Sequence, residues 1–103
     1  MARSRHATPL RLDPARAGHV AEVLKAVAHP LRLRIVATLC AGEESVGALA
    51  ERLGAAQPIV SQQLRILRSS ALVEATRANG HATYRIAEPA LHELVCCMER
   101  CSR

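Results

Sequence analysis

The chain has 103 residues, half of them apolar, and a formal net charge of +5 from 14 Lys and Arg against 9 Asp and Glu. Length alone points to one domain, no apolar run is long enough to span a bilayer, and the opening Met-Ala-Arg-Ser-Arg-His has no apolar stretch behind it that would make a secretory signal. A cytoplasmic protein is therefore expected, and its basic balance points to nucleic acid or another anionic surface.

Residues 1–13 read as a flexible basic arm carrying Arg3, Arg5 and Arg11, and residues 14–103 as the folded domain. Asp13-Pro14 supplies a capping carboxylate and a proline at the start of a first helix. Val20, Val23, Leu24 and Val27 form its apolar stripe. His29-Pro30 interrupts the pattern, and a second helix starts at Pro30 with Leu31, Ile35, Val36 and Leu39 inward, ending near Gly42. Ser45 caps a short helix that closes on Gly54, with Val46, Leu49, Ala50 and Leu53 on one face. After the turn Gly54-Ala55-Ala56-Gln57, Pro58 opens a helix to about Ser69, whose inward residues are expected to be Ile59, Val60, Leu64 and Leu67. Two short helices joined by a Gly-containing turn carry the helix-turn-helix signature.

From Leu72 the period becomes alternating. Asn79-Gly80 between two alternating runs predicts a β-hairpin, and Glu88-Pro89 starts a last helix with Leu91, Leu94, Val95 and Met98 on one stripe. The expected fold is mainly α with a β-hairpin wing, a winged helix-turn-helix. With Tyr84 as the only aromatic residue, the core must be built from Leu, Val, Ile and Ala. The stripes of the first and last helices exceed what so small a monomer can bury, which points to a dimer.

The helix from Pro58 presents Ser61, Gln62, Arg65 and Arg68 on a polar face. Ser, Gln and Arg reach base edges and phosphates in a major groove, and residues near the N-terminus of such a helix do the reading. Gln57, Ser61 and Gln62 are thus candidate base contacts, with Arg65 and Arg68 nearer the phosphates. Arg77, Asn79 and His81 at the hairpin tip are candidates for the minor groove or the backbone. A membrane-surface helix would need a cationic face opposite bulky apolar residues, which none of the helices clearly has.

The run Ala28-His29-Pro30-Leu31-Arg32-Leu33-Arg34-Ile35-Val36 resembles the second helix of the ArsR/SmtB metalloregulators. Ser45-Val46-Gly47-Ala48-Leu49-Ala50 with Val60-Ser61-Gln62-Gln63-Leu64-Arg65-Ile66-Leu67 is similar to their helix-turn-helix, and Leu72-Val73 and Tyr84-Arg85-Ile86 to their wing. The resemblance covers roughly residues 20–95, with Gln63 where many members carry His. It implies a homodimer through the first and last helices, bound to an inverted-repeat operator on double-stranded DNA. It also implies repression that an inducer relieves.

The chain ends Cys96-Cys97-Met98-Glu99-Arg100-Cys101-Ser102-Arg103. Cysteines in a reducing compartment point to reactive or metal-binding thiols rather than a disulfide framework. On an ideal helix Cys97 and Cys101 share a face while Cys96 is rotated by about 100°, so a common site requires the terminal turn to fold back. Thiolates select soft or borderline ions, and zinc would need a fourth ligand, with only His92 and Glu99 nearby. Trivalent arsenic or antimony needs three sulfurs, and the arrangement resembles that of arsenic-responsive members with a vicinal Cys pair and a third Cys on or beyond the last helix. As(III) or Sb(III) bound by Cys96, Cys97 and Cys101 is the expected inducer. The family's other arsenic site, Cys-x-Cys, reads Ser45-Val46-Gly47 here, and its zinc motifs on the last helix are absent.

Other readings stay open. Another thiophilic metal such as cadmium or zinc could be the inducer. Thiol oxidation or persulfide chemistry could act instead, since redox-sensing members pair a cysteine on the second helix with one on the last. Cys40 is offset from that position and reads as a small buried apolar residue. The terminal cysteines could also simply fill the dimer seam. Enzyme chemistry is not expected, because a catalytic thiolate is favoured at a helix N-terminus and these thiols lie at a C-terminus.

Overall fold

The computed structural model describes residues 12–101, so most of the basic arm and the last two residues lie outside it. Its elements run α1 (Pro14–Val27), α2 (Pro30–Ala41), β1 (Glu44–Ser45), α3 (Val46–Leu53), α4 (Gln57–Ser69), β2 (Val73–Ala78), β3 (His81–Ile86) and α5 (Ala90–Glu99). Each boundary has a local cause. Asp13 Oδ1 accepts from Arg16 N at 2.8 Å to cap α1, and Ser45 Oγ accepts from Ala48 N at 3.1 Å to cap α3. His29 is more than an interruption. Its Nδ1 accepts from Leu31 N at 3.1 Å and so starts α2. Arg32 then donates from its guanidinium to Ala26 O at 2.8 Å, tying the end of α1 to α2. A cationic side chain on the last carbonyls of a helix satisfies acceptors that the helix itself leaves open.

Gly54 ends α3 in the left-handed region at φ 64, where an L side chain is strained. The chain turns there, and α4 follows three residues later. The hairpin closes on the Ala78–His81 pair. Asn79 at φ 54 and Gly80 at φ 78 make its two-residue turn. Positive φ at both central positions is what matches a turn to the twist of the flanking strands.

The sheet has one strand more than the expected hairpin, in the antiparallel order β1-β3-β2. Glu44 pairs with Tyr84 and Ser45 with Thr83, so the residue that caps α3 also anchors the wing. Arg52 reinforces the junction through an ion pair to Glu44 at 3.0 Å.

The core is wholly aliphatic among the described residues. Ile35 and Val36 of α2, Leu49 of α3, Val60, Leu64 and Leu67 of α4, Leu72 and Leu91 are all essentially inaccessible. Val73 and Val95 close it at the wing and at α5. This core seats the helix-turn-helix rigidly between α2 and the wing. Ile59 departs from the expected inward position and is 45% exposed. It precedes Val60 by one residue, which rotates it about 100° off the buried stripe.

Candidate nucleic-acid interface

Helix α4 has three buried residues, Val60, Leu64 and Leu67. Gln57 is its first residue rather than part of the turn. Gln57 is exposed, and its Oε1 lies 3.7 Å from where a Cβ on Gly47 would stand, so its amide leans toward the start of α3. Gln62, Arg65 and Arg68 are exposed and Ser61 is half-buried. Gln63 turns inward, and its buried Oε1 has no hydrogen-bond partner among the described residues. No side chain caps the N-terminus of α4. Pro58 has no N–H and Ile59 N already donates to Ala56 O at 3.0 Å, so what this uncapped end offers an anion is chiefly the positive end of the helix dipole.

The wing extends the same chemistry. Arg77, Asn79 and His81 are all exposed at the hairpin end. Arg85 is committed elsewhere: its Nε donates to Glu74 Oε2 at 2.9 Å and its Nη1 to Thr76 Oγ1 at 2.8 Å. That strut spans the two strands and stiffens the hairpin. Among the described residues Arg65, Arg68 and Arg77 enter no ion pair, so their charge is free for phosphate. Sequence reasoning missed the Glu74–Thr76–Arg85 strut, although opposite charges on adjacent alternating runs were a usable signal.

The four cysteines are free thiols. Cys96 and Cys97 lie exposed on α5, and Cys101 lies past its end. Arg100 caps the helix, and Cys101 N donates to Met98 O at 3.0 Å in a terminal turn. The Arg100 guanidinium donates to Cys96 Sγ at 3.2 Å. Among the described residues no three His, Cys, Asp or Glu side chains converge as they would around a metal ion. A site shared by Cys96, Cys97 and Cys101 therefore requires the terminal turn to close. Cys40 is half-buried on α2, with Sγ 4.0 Å from Leu91 O of α5. Burial, helped by the Glu99 carboxylate, pushes its thiol pKa above the ordinary 9.0, because both disfavour the charged form.

A helix-turn-helix whose second helix carries an uncommitted polar face, followed by a stiffened cationic hairpin, is a winged helix-turn-helix DNA-binding module. The family model for "Bacterial regulatory protein, arsR family" matches residues 29–75. The biofilm growth-associated repressor of Xylella fastidiosa is 46% identical over 80 residues, covering 78% of this chain and 70% of that protein. The crystal structure of the transcriptional repressor BigR from Xylella fastidiosa superposes with a TM-score of 0.81 at 42% identity, covering 86% of this chain and 91% of that one. A homodimeric winged helix-turn-helix DNA-binding domain from Mycobacterium bovis, a possible ArsR-family regulator, gives a TM-score of 0.74 at 34% identity, covering 90% of this chain and 86% of that one. The chain belongs to the ArsR family. Its relatives are DNA-binding transcriptional regulators, not enzymes.

Proposed function

We propose that this protein is a homodimeric transcriptional repressor that binds an inverted-repeat operator and is released when As(III) or Sb(III) engages Cys96, Cys97 and Cys101. The observation that carries the inducer reading is the placement of three exposed thiols at and just past the end of α5, the helix that this reading assigns to the subunit seam. Leu91 and Val95 of α5 are buried against the core, while Met98 on the same stripe is 37% exposed. Helix α1 behaves alike, burying Val27 and exposing Leu24. On this reading a second copy covers the exposed Leu24 and Met98, and the homodimeric Mycobacterium bovis relative supports that assembly.

In the unliganded dimer the two α4 helices enter successive major grooves about 34–36 Å apart. Gln57, Ser61 and Gln62 meet base edges, Arg65 and Arg68 meet phosphates, and Arg77, Asn79 and His81 clamp the flank. The donor set fits a soft ion, because it consists of thiols. Closing the terminal turn brings Cys101 back toward Cys96 and Cys97 and draws in the end of α5. Since α5 also forms the subunit seam, the two winged units rotate relative to each other. A coupling of about 1–3 kcal/mol, roughly 5–150-fold in operator affinity, is sufficient.

Thiol oxidation is the second reading, and one contact favours it. The Arg100 guanidinium donates to Cys96 Sγ at 3.2 Å, which sets a cation beside an exposed thiol. Operator release followed by fluorescence anisotropy separates the readings. As(III) and Sb(III) are expected to release wild type but not the Cys96→Ser, Cys97→Ser or Cys101→Ser variants, each of which keeps its unliganded affinity. Release by persulfide or peroxide alone would favour oxidation, and release by Cd(II) or Zn(II) alone another soft metal. Lost DNA binding in the unliganded variants would give the cysteines a structural role.

A further inference from the structure

Among the described residues four large apolar side chains are exposed: Leu12, Leu24, Ile59 and Met98. Leu24 belongs to α1, Met98 to α5, and Leu12 lies just before α1, so all three fall on or beside the helices assigned to the subunit seam. Ile59 does not. It is the third residue of α4, 45% exposed, on the helix whose polar face is otherwise Ser, Gln and Arg.

Helix formation does not account for it. A β-branched residue loses side-chain freedom in a helix, and an unbranched residue serves an exposed position better. Core packing does not account for it either, since the buried stripe of α4 runs through Val60, Leu64 and Leu67. Ile59 stands one turn before Gln62, about 60° around the helix from it. The two side chains thus form adjacent parts of one surface at the N-terminal end, the end that meets base edges. In the major groove the one apolar group a base pair presents is the 5-methyl of thymine, and apolar side chains recognise it by contact.

We propose that Ile59 is a specificity residue that packs on the 5-methyl group of one thymine in each operator half-site, beside the base read by Gln62. This rests on α4 being the helix that enters the major groove. The contact removes an exposed isoleucine and a methyl group from water together, so it adds affinity only where thymine stands. Cytosine or uracil at that position offers no methyl.

The test uses the full chain and duplexes that it enriches from a randomised pool. Each thymidine of the enriched site is replaced in turn by deoxyuridine, which deletes the methyl and leaves base pairing intact. For wild type, one position per half-site is expected to lose about fourfold in affinity, the equivalent of one buried methyl. Ile59→Ala is expected to bind more weakly and to ignore the same replacement. Ile59→Val, which keeps a branched tip, retains the discrimination. Thermal melting of Ile59→Ala should match wild type, because the side chain is outside the core. A flat deoxyuridine scan on a tightly bound duplex overturns the proposal, as does a penalty of equal size in wild type and Ile59→Ala. Enrichment of no duplex at all overturns the DNA-reading assignment beneath it, a failure distinct from the flat scan.

Discussion

Cys40 differs from the other three cysteines in what surrounds it. Its sulfur is tucked between α2 and the Leu91 carbonyl of α5, where both desolvation and the Glu99 carboxylate act against the thiolate. In the folded state the proton is therefore held above the ordinary thiol value of 9.0, while in the unfolded chain it leaves at that value. Above it the unfolded state binds fewer protons than the folded one, so this residue's contribution to stability is intact at neutral pH and is lost as pH climbs toward the folded value. The expected outcome is a stability gap between wild type and Cys40→Ala that narrows between about pH 7 and about pH 10. Urea midpoints at the two pH values measure it, and Cys96, Cys97 and Cys101 cancel because both proteins carry them. A gap that stays constant would mean that the sulfur is as well solvated as an exposed thiol. Alkylation mapped by mass spectrometry should likewise reach Cys40 last.

At the scale of elements, the wing is a stiff hairpin with its charge at the tip. The Glu74–Thr76–Arg85 strut and the β1 pairing hold the strands, and Arg77 is exposed near the tip and enters no ion pair among the described residues. Arg77→Ala is expected to weaken operator binding to a similar extent for every sequence. It should also reduce the slope of log affinity against log salt by about one, the signature of one lost phosphate contact. An unchanged slope would remove Arg77 from the interface. The hairpin itself was legible because Asn79-Gly80 satisfies a turn that few dipeptides can make, and the helix-turn-helix because Gly54 interrupts two clean apolar stripes. Strand β1 was not legible. Glu44 and Ser45 are too short to show a period, and they are a strand only because Tyr84 and Thr83 lie opposite them. Ile59 was misplaced because an apolar residue beside Val60 passes for core unless the rotation between neighbours is counted. The end of α5 shows the opposite limit. The sequence displays three sulfurs close together, but where they point depends on the helix stopping at Glu99 and on Arg100 capping it.

At the scale of the whole molecule, a domain this small leaves much of its apolar surface outside one core. Here that surface is concentrated on α1 and α5. A groove of about 360 Å³ lies between them, floored by Val20, Val23 and Leu24 of α1 and by Ala90, Leu91 and Leu94 of α5, with Arg16, His19 and Glu88 at its rim. Leu24 stands at its edge and is 48% exposed in the single chain, so placing a carboxylate there costs the monomer fold little. Against a second copy the same carboxylate would be desolvated among apolar side chains, a large penalty for association. Leu24→Glu is therefore expected to sediment as a monomer with an unchanged far-UV circular dichroism spectrum, whereas wild type sediments as a dimer. Operator affinity should fall with it, because one protomer reaches one half-site and the tethering of the second is lost. Ile59→Ala, altered on the DNA-reading helix, should remain dimeric and so separates loss of assembly from loss of base contact. A Leu24→Glu protein that stays dimeric would move the subunit seam away from α1. The coupling between the terminal thiols and the spacing of the two α4 helices would then have to run through another surface.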